Sequence, residues 1–319
     1  ACVQACPTNA LTSTGAATDL PDNKRIDTVC PYCGVGCLLT FNVSDGAIKS
    51  ATGRNGPANK NRLCVKGRYG FDYVHHEDRL TKPLIRIKGM KKTAALIHKN
   101  EISDYFREAS WSEALEFAAT GLKSILDIHG GNALAGLGSA KGSNEEAYAF
   151  QKFIRSALKT NNVDHCTRLC HASSVAAMLE MLGNAGVSNQ VEDVALTEVI
   201  VVIGAKPTAN HPVAATFMKN ATKNGARLVV IDPYKSDLTR HADFFLQFRP
   251  DTDVLLMNSM MSVIIEENLH DERFIKERTT DFLNLKEVVS KYSPESVSST
   301  CGIEPETIRA VARLYAKAR

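Results

Sequence analysis

The sequence contains no long apolar run and no large excess of either charge. Its longest apolar stretch is VIVVIGA, residues 199–205, and a membrane-spanning helix needs roughly 18 apolar residues. We therefore predict no membrane span in this chain. The formal net charge of +3 argues neither for nor against a polyanionic partner, and we predict no nucleic-acid partner. With 44% hydrophobic and 23% charged residues in 319, the composition is that of a globular protein with more than one core.

The chain also lacks an initiating methionine and a cap on its last helix pattern. It begins with ACVQACPTNAL, the second half of the bacterial ferredoxin run C-x2-C-x2-C-x3-C-P, whose last two cysteines are Cys2 and Cys6 here. The final segment, EPETIRAVARLYAKAR, stops within an amphipathic helix pattern. We therefore expect a fragment of a longer protein, truncated at both ends, in which Cys2 and Cys6 are iron–sulfur ligands. A fragment carries no information about a signal peptide.

The order of sequence patterns predicts an α/β fold. TEVIVVIGA and ARLVVIDP are continuous apolar runs, typical of parallel strands that are buried on both faces. HPVAATFMKNATKNG lies between them with a helical period, so the three segments predict a βαβ unit. Ser110 with Glu113 and Ser143 with Glu146 have capping-box spacing and predict the starts of two earlier helices. We find no internal repeat.

Changes in composition divide the chain into four expected segments. These are the end of a ferredoxin-like segment plus a linker at 1–27, an iron–sulfur domain at 28–82, the first part of an α/β domain at 83–164, and a second α/β domain at 165–319.

Four of the nine cysteines form one recognisable set. Cys30, Cys33, Cys37 and Cys64 have the spacing C-x2-C-x3-C-x26-C. Three thiolates in one tight loop with a distant fourth suit a [4Fe–4S] cluster. The alternative is a structural zinc site, which also takes four thiolates but usually pairs them as two C-x2-C units. The spacing favours the cluster.

The segment TRLCHASSVAA, residues 167–177, places Cys170 beside His171 at the expected start of a helix. Local chemistry leaves several roles open for Cys170. With its neighbours in HCTRLCH it could bind zinc, although adjacent His–Cys pairs point in divergent directions. It could also be a nucleophile activated by the histidine and the helix, or a packed and inert thiol.

The cysteine spacing, the CVKG segment at residues 64–67 and the segments within 136–282 together resemble molybdopterin oxidoreductases, and specifically the alpha subunits of formate dehydrogenases. The resemblance covers essentially the whole chain. It implies a [4Fe–4S] cluster, two molybdopterin guanine dinucleotides, and molybdenum or tungsten. It also implies that the two α/β segments are incomplete, Rossmann-like parallel-sheet domains that bind molybdopterin. The half-ferredoxin start is similar to the extension of NAD-linked cytoplasmic members.

The same resemblance assigns three catalytic positions. Cys170 corresponds to the metal-binding selenocysteine or cysteine, and a soft thiolate suits a metal that dithiolene sulfurs already hold. His171 is the adjacent residue that handles or orients a proton. Lys66 is the lysine between cluster and pterin that conducts electrons. Cys166 and Cys301 match no position of the pattern, and we predict that both are structural.

Further segments are expected to bind the pterin dinucleotides. GLGSAKGSNEEAY lacks the spacing of a P-loop, but the resemblance makes Ser139, Lys141 and Asn144 contacts. A glycine at the carboxyl end of a strand, before a helix, is a usual place for nucleotide phosphates. The residues expected there and at the following strand ends are Gly204, Pro207, His211, Asp232, Pro233 and Asp253. This chain has Lys206 where members often have Asn, Tyr234 where Arg is common, and Asp251 where Gly is usual.

The resemblance implies a cytoplasmic enzyme that oxidises formate to CO2. Electrons would leave through pterin, Lys66 and the clusters to flavin- and NAD-binding and iron–sulfur partner subunits. The formate-binding arginine of the family lies beyond this chain's last residue, so we expect the fragment alone to be inactive. Two alternatives are a nitrate reductase, whose metal-binding cysteine is typically not followed by histidine, and the large subunit of respiratory complex I, which has lost the metal site. His171 argues against the first and the intact TRLCH against the second.

Overall fold

The computed structural model describes residues 24–318, together with residues 3, 6, 8, 10 and 11. It divides into two compact units. One unit combines the described residues up to Tyr69 with those from Ser188 onward, and the other spans Gly70–Val187. The first unit is therefore built from two separate stretches of sequence, an arrangement that no pattern along the chain indicates. The boundaries expected at 28, 83 and 165 stay predictions, since they follow sequence patterns rather than contacts.

The first stretch is a small antiparallel sheet followed by a short helix. Its elements are β1 (Lys24–Val29), β2 (Leu38–Ser44), β3 (Ala47–Gly53) and α1 (Val65–Tyr69). The strands lie in the order β1–β2–β3. Asp45 and Gly46 connect β2 to β3, and both have positive φ, as a two-residue Asp-Gly hairpin turn requires. Cys30, Cys33 and Cys37 lie in the loop between β1 and β2, and therefore at one end of this sheet.

The second unit, Gly70–Val187, contains two small sheets and several helices. Its elements are β4 (Leu84–Arg86), α2 (Ile102–Tyr105), β5 (Phe106–Glu108), α3 (Trp111–His129), β6 (Gly136–Gly138), α4 (Asn144–Ser156), β7 (Val163–His165), α5 (Thr167–Cys170) and α6 (Ala172–Leu182). β6 and β7 pair in parallel. Ser110 caps α3, and the predicted Ser143–Glu146 capping box is present at the start of α4.

The stretch from Ser188 onward contains the expected parallel sheet. Its elements are β8 (Val199–Ile203), α7 (Pro207–Asn210), α8 (Pro212–Lys223), β9 (Arg227–Ile231), β10 (Phe244–Leu246), α9 (Asp253–Glu266), α10 (Glu272–Arg278), α11 (Phe282–Val289), α12 (Pro294–Cys301) and α13 (Pro305–Lys317). The strands are parallel in the order β10–β9–β8. The predicted α/β class and βαβ unit are confirmed.

The central strand β9 is buried on both faces. Val229 and Ile231 belong to one hydrophobic cluster, with α9, α12 and α13. Leu228 and Val230 belong to another, with residues of α8 and β8. This alternation between two covered faces explains why the strand is a continuous apolar run. No helix of the described residues is long and apolar enough to cross a membrane.

Candidate functional site

The four predicted cluster cysteines meet around one small cavity in the first unit. Cys30, Cys33, Cys37 and Cys64 all line it, with Val213 at the start of α8 among the apolar residues around them. The backbone N–H of Cys30 donates to the carbonyl of Cys37 at 2.9 Å, which closes the loop between β1 and β2. Cys64 comes from the turn before α1. The four cysteines, which span 35 positions of the sequence, thus form one set of sulfur donors.

Burial makes two of these thiols, Cys30 and Cys37, poor anions without a cation. Burial, reinforced by the neighbouring Cys30, Cys33 and Cys64 sulfurs, raises the pKa of Cys37 to about 12. The pKa of Cys30 is also raised, chiefly by burial. Four thiolates in this cavity therefore require a group that supplies positive charge, and iron or zinc would do so.

The lining of the cavity fits the predicted cluster. Besides the four cysteines it consists of Tyr32, Val35, Leu63, Gly67, Pro212 and Val213. A Cβ atom on Gly67 would lie 3.5 Å from the Cys30 sulfur. Four thiolates in one largely apolar cavity suit a [4Fe–4S] cluster, which the cysteine spacing also favours over zinc.

Asn59 organises the cysteine loops, and sequence reasoning missed it. Its side chain is fully buried. The Asn59 carboxamide nitrogen donates to the carbonyls of Leu38, Arg54 and Arg62 at 2.9 to 3.2 Å, and its oxygen accepts from the Leu38 N–H at 3.1 Å. It therefore ties the residue after Cys37 to the segment that leads to Cys64. Its position in ATGRNGPANKNRLC, where it is one of three asparagines, gave no signal of this role.

We expect Asn59→Ala to lower the stability of the cysteine unit by about 3 kcal/mol, because it leaves several buried backbone groups without partners. In the full-length protein this should appear as faster loss of iron in urea and a lower iron content after purification. Asn55→Ala is the matched control, since Asn55 is exposed four residues earlier. Equal iron retention in the two variants would contradict the role of Asn59.

Lys66 lies on α1, directly after the cysteine cavity. Its side chain is exposed, and its Nζ lies 6.0 Å from the centroid of the Tyr32 ring. Tyr32 itself lines the cysteine cavity. The first unit thus places the predicted electron-conducting lysine beside the predicted cluster ligands.

Cys170 and His171 lie at the junction of two short helices in the second unit. Cys170 ends α5, and His171 is the N-cap residue of α6. Cys170 is exposed, which does not fit a packed and inert thiol. Cys166 is also exposed, whereas Cys301 is fully buried in the first unit. An ion pair between Arg168 and Asp164, at 3.0 Å, holds the turn that precedes Cys170.

A large cavity lies beside this turn, within the same unit. It has a volume of about 830 Å³, a size suited to a small-molecule ligand. Ser139 and Lys141, two of the predicted pterin contacts, line it together with Arg155, His165 and Arg168. The third predicted contact, Asn144, is exposed and begins α4. The cavity brings cationic and hydroxyl groups next to the turn that precedes Cys170, and neither Cys170 nor His171 is among the residues that line it.

Most of the remaining predicted contacts follow the carboxyl ends of β8 and β9 in the chain, and Asp253 comes after β10. Gly204 has φ of 56°, and its N–H donates to the Ile231 carbonyl at 3.0 Å. The Oδ1 of Asp232 accepts from the backbone N–H of Tyr234 at 2.7 Å. The positions of the other predicted residues are a buried Pro207 in α7, an exposed His211 at the N-cap of α8, a half-buried Pro233, and an exposed Asp253 at the start of α9.

Two departures from the expected pattern contact each other here. The Lys206 ammonium lies 5.0 Å from the centroid of the Tyr234 ring. Cation–π attraction therefore holds the lysine at the ends of two parallel strands, where nucleotide phosphates bind in open α/β sheets. The sequence alone does not indicate that Lys206 and Tyr234 lie together.

The amino-terminal cysteines are only partly described. Cys2 lies outside the described residues. Cys6 is described, and hydrogen bonds from the Thr8 side chain and nearby backbone lower the pKa of its thiol to about 7. The assignment of both as iron–sulfur ligands stays a prediction.

Comparison with protein families establishes the class. The family described as Molybdopterin oxidoreductase matches residues 79–300, and the Molybdopterin oxidoreductase Fe4S4 domain matches residues 23–76. The chain belongs to the molybdopterin oxidoreductase family. The predicted cofactor classes, a [4Fe–4S] cluster and a molybdopterin with molybdenum or tungsten, are confirmed at the level of the family.

Similar proteins include formate dehydrogenase subunits. The chain is 40% identical over 296 residues to the F420-dependent formate dehydrogenase subunit alpha of Methanocaldococcus jannaschii, covering 92% of this chain and 41% of that protein. It is 37% identical over 297 residues to formate dehydrogenase H of Escherichia coli, covering 93% of this chain and 40% of that protein. The chain thus spans about two fifths of the length of these relatives.

A solved structure shows the same fold. Acetylene hydratase from Pelobacter acetylenicus superimposes with a TM-score of 0.75 at 23% identity, over 92% of this chain and 39% of that one.

Proposed function

We propose that this chain is part of the catalytic subunit of a formate dehydrogenase, which oxidises formate to CO2. The observation that carries the proposal is the exposed Cys170–His171 pair, which follows a turn whose Arg168 lines the large cavity of the second unit, in a chain 40% identical to a formate dehydrogenase alpha subunit.

The proposal gives each group of residues one task. Cys30, Cys33, Cys37 and Cys64 would hold the [4Fe–4S] cluster, and Cys170 would bind molybdenum or tungsten. Ser139 and Lys141 in the large cavity would contact one pterin dinucleotide, with Asn144 at its edge, and the strand-end residues from Gly204 to Asp253 would contact the other. When bound, the metal and its pterins supply two-electron redox chemistry.

In this proposal, residues near Cys170 orient the substrate site and handle a proton, and Lys66 takes part in electron transfer. His171 follows the proposed metal ligand directly, and its imidazole nitrogens can donate and accept hydrogen bonds. The Arg168–Asp164 ion pair lies in the turn that leads to Cys170 and His171. Lys66 is proposed to link cluster and pterin, beside Tyr32.

The electron acceptor is part of the proposal. We infer an NAD-linked partner reached through iron–sulfur and flavin subunits, in the cytoplasm, supported by the half-ferredoxin pattern around Cys6. Three similar proteins carry F420 in their names, so F420 is the second candidate. Reduction of NAD⁺ or of F420 by the purified complex with formate distinguishes them.

The full-length protein with its cofactors tests the activity. We expect formate to reduce oxidised benzyl viologen and nitrate to leave reduced viologen unchanged. Nitrate-dependent oxidation of the dye without any formate-dependent reduction would replace the proposal by a nitrate reductase.

We further propose that the Lys206 ammonium contacts a phosphate of a pterin dinucleotide, so Lys206→Met should weaken its retention about tenfold by removing one charge-assisted contact. The measurement is guanine nucleotide released by acid hydrolysis per chain of purified full-length protein. Lys223→Met is the matched control, an equal loss of charge at the last turn of α8. Unchanged nucleotide content in Lys206→Met, or the same loss in the control, would contradict this contact.

A further inference from the structure

A second cleft of the first unit lies next to the cysteine cavity. Its volume is about 640 Å³. The segment before α1 forms one wall and α8 forms the other. Its lining includes Lys60, Arg62, Cys64, Val65, Thr216 and Lys219. We call it the cationic cleft.

The cleft carries uncompensated positive charge. Among the described residues, neither Arg62 nor Lys219 has a carboxylate partner. The Arg62 guanidinium is held 4.9 Å above the Phe217 ring centroid, so it is oriented before any ligand arrives. Lys60 differs, because its Nζ pairs with the Glu192 carboxylate at 2.7 Å. Arg62 and Lys219 therefore provide the charge that an anionic partner would meet.

An apolar contact lies beside these charges. Val65 is 68% exposed although it is a large hydrophobic residue, and it follows Cys64 directly. Cys64 lines both the cysteine cavity and the cleft. An apolar centre with a charged rim is the usual composition of a protein–protein contact, and electron-transfer contacts are small and short-lived. The cleft reaches one of the proposed cluster ligands, which is where an electron would leave.

We propose that the cationic cleft is the docking surface for an acidic one-electron carrier protein. The carrier's carboxylates contact Arg62 and Lys219, and its apolar surface contacts Val65. In each encounter the chain loses one electron and the carrier gains it, with no bond made or broken. This role rests on the proposed redox function, but docking itself requires only the surface. Charge complementarity of this kind speeds association and weakens as salt increases.

Binding tests the surface without using enzyme activity. The probe is an acidic [2Fe–2S] ferredoxin, and the measurement is its Kd for the full-length, cofactor-loaded protein by calorimetry at low and high salt. We expect Arg62→Glu with Lys219→Glu to raise the low-salt Kd at least about tenfold, and to remove most of its salt dependence. Lys219→Glu alone, which leaves the Phe217 contact intact, should raise it about threefold. Lys223→Glu, with the same charge change at the end of α8, should have no effect.

A variant that is expected to tighten ferredoxin binding, rather than weaken it, gives a second test. Glu192→Gln frees Lys60 and should tighten ferredoxin binding about threefold. Equal Kd values for Lys219→Glu and Lys223→Glu, or no ferredoxin binding by the wild type, would overturn the proposal. Displacement of ferredoxin by millimolar inorganic phosphate at constant ionic strength would also overturn it, since the cleft would then hold a small anion. If formate fails to reduce viologen while these Kd values change as expected, the proposed function fails and the docking surface stands.

Discussion

Cys170→Ala should abolish formate-dependent dye reduction while leaving the iron–sulfur EPR signal intact. We expect the rate to fall at least about a thousandfold, the size of effect seen when a central catalytic group is removed. Cys170 is exposed in the second unit, whereas the four cluster cysteines belong to the first. The substitution therefore removes the proposed metal ligand without touching the proposed cluster ligands.

Cys166→Ala is the matched control. Cys166 is an exposed cysteine four residues earlier, at the N-cap of α5. Its replacement should change the rate by no more than about twofold, as for other exposed positions. Retained activity in Cys170→Ala, or an equal loss in Cys166→Ala, would contradict the assignment of the ligand.

Cys64→Ala should remove one cluster from the first unit. The full-length variant should contain about four fewer irons per chain and lack one EPR signal, because a [4Fe–4S] cluster needs all four thiolates. The bonds between the cluster and the three remaining cysteines would be lost as well, so the unit should also unfold more easily. Formate-dependent electron transfer should fall with the iron content.

Cys301→Ala is the control for Cys64→Ala, because it tests whether the loss of any cysteine lowers the iron content. Cys301 is fully buried in the core against α9 and α13, far along the chain from the cluster loop. We expect this variant to keep its iron. Zinc in place of iron in the wild type, found by elemental analysis, would contradict the cluster for both variants.

The sequence predicted the parts of the fold that have local causes. The apolar runs of β8 and β9 predicted buried parallel strands, and Ser143 with Glu146 predicted the start of α4. The spacing of Cys30, Cys33, Cys37 and Cys64 predicted that they would meet. Each of these features depends on residues that are close in sequence or belong to a recognised pattern.

Features that depend on contacts across the chain were beyond sequence reasoning. The first unit joins residues up to Tyr69 with those from Ser188, so its composition emerges only in three dimensions. Asn59 acts through a fully buried side chain that bonds Leu38, 21 positions away. The Lys206–Tyr234 contact and the Arg62–Phe217 stacking likewise join separate segments. Polar residues with such roles have no periodic signature.

The central claim is that the Cys170 thiolate binds the metal, and X-ray absorption at the molybdenum or tungsten edge tests it most directly. Spectra of the full-length wild type and Cys170→Ser should differ, with one metal–sulfur distance in the wild type replaced by a shorter metal–oxygen distance in the variant. Identical sulfur shells in the two proteins, at equal metal content, would contradict the claim.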